Sequence, residues 1–203
     1  MLGADSKAVL QRYLQEARDA LLWKLDDLGE YEVRRPLTPT GTNLLGLVKH
    51  LAYVEAGYFG TAFARPFPEP LPDWDDAEDA DPNADLWARP EESRADVVGL
   101  YRRVWAHADA TIAAHDLDAV GTVPWWGDEP ATLHLLLVHV ATETHRHAGH
   151  ADIVRELIDG AAGLRATGTN LPDGDATWWA THHERVEQAA RQASEGSNTN
   201  AAG

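Results

Sequence analysis

The chain has 203 residues, 44% hydrophobic and 25% charged, an ordinary globular balance with room for one sizeable core. Its formal net charge of -16 argues against a phosphate-binding surface of clustered lysine and arginine and against adhesion to anionic lipid, so neither nucleic acid nor a membrane is expected as a partner. The absence of cysteine removes disulfides, thiolate nucleophiles and cysteine-ligated zinc, and is compatible with a cytoplasmic setting.

The start, MLGADSKAVL, has no basic flank followed by a long apolar run, so no signal peptide is expected. No later stretch is apolar enough to span a bilayer. Residues 6–28 read as a first amphipathic helix: Leu10, Tyr13, Leu14, Ala17, Leu21, Lys24 with Leu25, and Leu28 recur at helical spacing. Asp5 or Ser6 can cap its start, and Gly29 ends it. Residues 30–41 carry two prolines and two threonines and read as a connection.

A second helix is expected from near Thr42, its N-cap, to about Ala64. Leu44, Leu47, Val48, Leu51, Val54 and Tyr58 form its apolar face. His50 lies on the shoulder of that face, beside Gly46, Tyr53 and Gly57. Two glycines inside a helix mark either close helix approach or space for a ligand. Residues 65–90 are acidic and proline-rich. A connection this long is functional or a crossover, and its acidic run reads as solvated surface, with Trp74 and Trp87 available to pin it.

Pro90 suits a first helical turn, followed by Glu91 and Glu92 near the helix's positive end. The third helix then runs to about His115, with Val97, Val98, Leu100, Tyr101, Val104, Trp105, Ala108 and Ile112 available for the core. Residues 116–130 form a second connection with an aromatic lobe at Pro124-Trp125-Trp126-Gly127.

The organising stretch is residues 131–160, ATLHLLLVHVATETHRHAGHADIVRELIDG. At 100° per residue, Leu136, His139, Val140, Glu143, His147, His150 and Val154 share an arc roughly 100° wide. His134 and His145 point the other way. Burying a carboxylate and imidazoles unpaired costs several kcal/mol, so something must compensate them, and a metal ion is the first candidate. Glu143 and His147, four apart, can converge on one point, and His50 from another helix can close a third corner. Two histidines and one carboxylate leave a position open for water or substrate, as in a catalytic zinc site; a non-haem iron site can share these ligand types. His139, one turn before Glu143, is a fourth ligand, a substrate contact or a packed neutral imidazole, and His150 is a ligand or a partner behind the ligands.

After Gly160 the chain loosens, and Asp175 starts a last short helix with Trp178 and Trp179 near its beginning and His182 and His183 on its surface. No segment alternates convincingly as a strand. Four main helices, with one long crossover between the second and third, give an all-α four-helix bundle over residues 1–194, with a C-terminal helical extension and a disordered tail at 195–203.

The segments TNLLGLVKHLAYVE, ETHRHAGHADIVRELIDG and DATWW closely resemble the DinB/YfiT-like superfamily, and within it the mycothiol S-transferase branch, over about residues 10–190. The resemblance implies a four-helix bundle holding a divalent metal, usually zinc, with nickel or iron as alternatives. His50, Glu143 and His147 match its ligand pattern. It further implies conjugation of a low-molecular-weight thiol, mycothiol, to an electrophilic small molecule, serving detoxification or biosynthesis, with Tyr53 and His139 as candidate substrate-binding residues and a homodimer as a common assembly. Two further readings stay open: a different metal-dependent enzyme, either a hydrolase or a thiol-dependent isomerase, and a non-catalytic metal- or ligand-binding stress protein.

Overall fold

A computed structural model describes residues 5–71 and 81–200, with side chains to residue 194. Trp74 lies outside the described residues. The chain divides into two units, Met1–Thr169 and Asn170–Gly203. The first holds every candidate site residue.

Helix α1 spans Ser6–Leu22, and Asp5 caps it by accepting from the Lys7 amide. The apolar stripe does continue to Leu25, but as a 3-10 turn, Trp23–Leu25. Arg155 is the reason the chain can leave the helix there. Its guanidinium donates to the carbonyls of Lys24 and Asp26 at 2.9 and 2.8 Å, supplying partners for a helix end that would otherwise leave them bare. Lys24, placed in the apolar stripe, is indeed buried; it pairs with Asp152 and lies 3.7 Å from the centre of the Trp23 ring. The connection that follows contains a short helix, α2 (Glu30–Arg34), which seats Val33 in the core.

Helix α3 spans Leu44–Phe59. Asn43, not Thr42, is its cap, accepting from the Gly46 amide at 2.7 Å. The helix ends before Ala64 because the chain tightens into a 3-10 turn, Thr61–Phe63, and Ala64 adopts a left-handed conformation. Helix α4 spans Arg94–Ala114. It starts after Pro90, Glu91 and Glu92, since Ser93 and Asp96 form a reciprocal capping box that fixes the first turn.

The expectation of no strand is corrected by a two-stranded antiparallel hairpin, β1 (Val120–Val123) and β2 (Glu129–Thr132), pairing Val120 with Thr132 and Val123 with Glu129. The alternation is present but masked. The inward positions of β1 are Gly121 and Val123, and Gly121 has no side chain because a Cβ there would sit 2.5 Å from the Ala62 carbonyl oxygen. The hairpin turn carries Pro124–Trp126 and a left-handed Gly127.

Helix α5 spans Leu133–Asp159, 27 residues and about 40 Å. Thr132 caps it, and Gly160, at φ 79°, ends it as the sequence indicates. Helix α3 packs against α4 and α5, and α1 against α5. Leu14, Leu21, Leu44, Leu51, Tyr101, Ile112, Leu136 and Val140 are buried between them. Set into this apolar interior is an ion pair: Arg18 of α1 meets Glu55 of α3 through two hydrogen bonds, at 3.0 and 2.5 Å. Tyr101 of α4 donates to the same carboxylate at 3.1 Å, and Arg18 also reaches Asp109 at 2.9 Å. Burial works against the Arg18 charge, but Glu55 and Asp109 outweigh it and raise the guanidinium above its ordinary value.

In the second unit, α6 spans Ala176–Asn200, longer than the short helix expected. Asp175 accepts from the Trp178 amide at its start, and Trp178 stacks on His182. No helix among the described residues is long and apolar enough to cross a membrane.

Candidate metal centre

The packing of α3 on α5 brings His50 to the face of α5 that carries Glu143 and His147. His147 Nε2 lies 2.8 Å from Glu143 Oε1, and His50 Nε2 lies 3.8 Å from the same oxygen. The two imidazole rings meet edge to face, with centroids 4.8 Å apart. One ligand atom from each residue lies within 4.8 Å of the others, and this is the one such group of three among the described residues. Donors about 2.1 Å from a zinc ion in tetrahedral array lie about 3.4 Å apart, so these three need only small side-chain adjustments to bind one cation.

The electrostatics fit the same use. Burial raises the Glu143 carboxyl, but the His147 hydrogen bond and the nearby His50 more than offset this and hold it below its ordinary range. Burial, followed by the neighbouring His50, holds the His147 imidazole below its ordinary value despite Glu143. Near neutral pH the face thus presents a carboxylate and a neutral imidazole, the forms that bind cations. Zinc uptake followed on lowering the pH is expected to stay level through neutrality and to fall only below the ordinary imidazole value of about 6.5, where His147 takes up its proton. Binding lost already at pH 7 to 8 would contradict this assignment of charge.

The remaining histidines separate by role. His150 is exposed, and its Nδ1 lies 3.3 Å from His147 Nδ1, so it stands behind a ligand and does not join the group. His139 is half-buried between Tyr58 and Trp126, edge to face with both rings. His134 and His145 are exposed, on the opposite face. Beside the triad, a cavity of about 460 Å³ is lined by His50, Tyr53, Val54, Gly57, Tyr58, Trp125, His139 and Glu143. A larger cleft of about 890 Å³, around Trp23, Arg94 and Trp105, contains none of these residues.

Both α3 glycines mark close approach. A Cβ on Gly46 would lie 1.9 Å from the Leu86 carbonyl oxygen, and one on Gly57 would lie 2.9 Å from Trp125 Cη2. Trp125 comes from the β1–β2 turn and is held over the cavity by a hydrogen bond from its Nε1 to the Tyr58 hydroxyl at 3.1 Å. Gly57→Ala is expected to spare the fold, since alanine is the better helix former by roughly 1 kcal/mol, and to push the indole aside. Cation uptake should hold while an apolar ligand of the cavity binds more weakly; unchanged ligand affinity would contradict a role for Trp125 as a wall of the site.

Two contributors escape a reading of the sequence. Trp125, visible there only as part of an aromatic lobe, stands in the turn of a hairpin hidden by Gly121. Asp85 belongs to the acidic crossover read as solvated surface, yet it is 3% exposed and contacts His50 Nδ1 at 2.5 Å. The only local sign is that Asp85 is followed by Leu86-Trp87, an apolar break in the acidic run. The Trp87 indole is 41% exposed and donates to Asp81 of the same loop at 2.7 Å, while its backbone carbonyl accepts from Lys49 of α3.

A solved structure of a conserved protein from Enterococcus faecalis shares this fold: TM-score 0.57 and 16% identity, over 78% of this chain and 100% of that one. A comparison with curated proteins gives no match. A family model described as mycothiol-S-transferase matches residues 9–160, a span that runs from within α1 to the end of α5 and takes in the whole triad. The chain therefore belongs to the mycothiol-S-transferase family, which is DinB/YfiT-like.

Proposed function

We propose that the protein is a metal-dependent S-transferase that joins a low-molecular-weight thiol, mycothiol, to an electrophilic small molecule. The observation that carries this reading is the position of the triad: His50 and Glu143 form part of the wall of the aromatic cavity, so the open side of the donor set faces a substrate-sized space. In this reading α1, α3, α4 and α5 are the family's four-helix bundle, and His50, Glu143 and His147 hold the cation. Two imidazoles and a carboxylate suit zinc, and nickel or iron can use the same donors.

A divalent cation held there supplies a Lewis acid that favours ionisation of a thiol near neutral pH. The chain's own residues do the rest. Val54, Tyr58 and Trp125 exclude water and hold the electrophile against the thiol, and such proximity lowers a barrier by several kcal/mol. Among the described residues the lining has no lysine or arginine, so an uncharged, apolar electrophile is favoured over an anionic one. The new sulfur–carbon bond forms as the bond to the leaving group breaks, and in this reading His139, which lines the cavity, takes the thiol proton. Burial, then Glu92 and Asp85, push the Tyr53 hydroxyl up, so it stays a hydrogen-bond donor that can orient the thiol.

The test is consumption of mycothiol with a neutral haloalkane or a bimane, measured on metal-loaded protein. Conjugate formation supports the reading. Zinc binding with no conjugate from any thiol–electrophile pair would redirect it to another metal-dependent reaction or to binding without turnover.

A further inference from the structure

Among the described residues of the acidic crossover Asp85 is buried, and the surrounding contacts fix its place. Backbone of the loop is drawn onto the start of α3: Asn43 donates to the Leu86 carbonyl at 3.0 Å, and Lys49, itself buried, donates to the Trp87 carbonyl at 3.2 Å. Arg34 donates to the carbonyls of Arg89 and Glu92 at 3.1 and 2.7 Å. Gly46 allows the closest approach, since any side chain would meet the Leu86 carbonyl. Together these contacts bring Asp85 against His50. The two nitrogens of the His50 ring are then committed differently: Nδ1 meets Asp85 Oδ2 at 2.5 Å, and Nε2 faces Glu143.

We infer that Asp85 is a positioning residue of the metal centre: by accepting from His50 Nδ1–H it fixes the ring's orientation and tautomer, so that Nε2 presents its lone pair beside Glu143 and His147. This rests on the metal-site reading proposed above. A carboxylate behind a ligating imidazole also makes the ligand more basic, and loss of such a partner typically weakens metal binding by about 10–100-fold. The crossover is therefore a working part of the site, with Asp81 exposed and Asp85 turned inward.

Zinc affinity, measured by chelator competition on the full-length protein, tests this in the wild type, Asp85→Ala and Asp85→Asn. The thermal unfolding of each metal-free protein and the visible spectrum of each cobalt-loaded protein are recorded alongside. Asp85→Ala should bind zinc about 10–100-fold more weakly and show an altered cobalt spectrum. Asp85→Asn, whose amide oxygen still accepts from Nδ1–H without the charge, should recover part of the loss. Equal affinity in wild type and Asp85→Ala would overturn the role of Asp85 while leaving the metal site standing. Equal losses in both variants, with both metal-free proteins melting early, would assign the effect to collapse of the loop and overturn it too. Wild-type protein that binds no zinc would instead overturn the metal-site reading, and this inference with it.

Discussion

Glu143→Ala and His147→Ala proteins are expected to fold, to carry only traces of metal where the wild type carries a near-stoichiometric amount, and to conjugate thiol at the background rate. Each substitution removes one of three donors that converge from two helices, and a cation held by two remaining side chains loses the closed geometry that makes the site tight. His50→Ala is expected to behave alike although it changes a different helix. Elemental analysis of tag-free protein, with thiol consumption measured on the same samples, decides the matter. Metal kept in His50→Ala but lost in His147→Ala would reduce the site to the α5 pair. Wild-type protein that takes up neither zinc, nickel nor iron would leave the polar face of α5 as a hydrogen-bonded wall of the core, and the transferase reading would go with it.

The second large effect is on stability. Glu55→Ala leaves the Arg18 guanidinium buried beside an empty space and takes the acceptor from Tyr101. Breaking one side of a buried pair costs about 3–5 kcal/mol. Asp109 also contacts Arg18, but its side chain is 46% exposed, so it offsets only part of the loss. At roughly 2–4 °C per kcal/mol for a chain of this size, the melting temperature should drop by roughly 10 °C. Replacing both partners by apolar residues of similar volume, Arg18→Met with Glu55→Leu, should recover most of it, because no charge is then stranded. Thermal unfolding of the two proteins checks both claims; a single-variant loss under about 1 kcal/mol would mean that water reaches the pair.

The parts legible in the sequence are those written in a single helix. The stretch 131–160 matches α5 to within two residues at its start, and the four-residue spacing of His139, Glu143 and His147 places all three on one face whatever the tertiary structure. His50 needed the second helix to pack on that face, and its shoulder position beside Gly46 and Gly57 already distinguished it. What remained hidden depends on contacts between distant segments. Asp85 carries the same charge as the exposed Asp81, and contacts from Asn43, Lys49 and Arg34, with the space at Gly46, turn it inward. Glu55 sits in an otherwise apolar helix face, and its meaning depends on Arg18, 37 residues earlier. The β1–β2 hairpin is too short and too glycine-dependent to declare itself against longer helical patterns.

The hairpin has a consequence for how substrate range can evolve. The three candidate metal donors stand on long helices whose packing is shared with the core, so they tolerate little change. Trp125 stands on a three-residue turn that ends in Gly127, outside those helices. Exchanging that turn reshapes the wall of the chamber without moving an atom of the donor set. If the proposed transferase reading holds, selection in the laboratory can explore new electrophiles by rewriting residues 124–127 while the donor set stays unchanged.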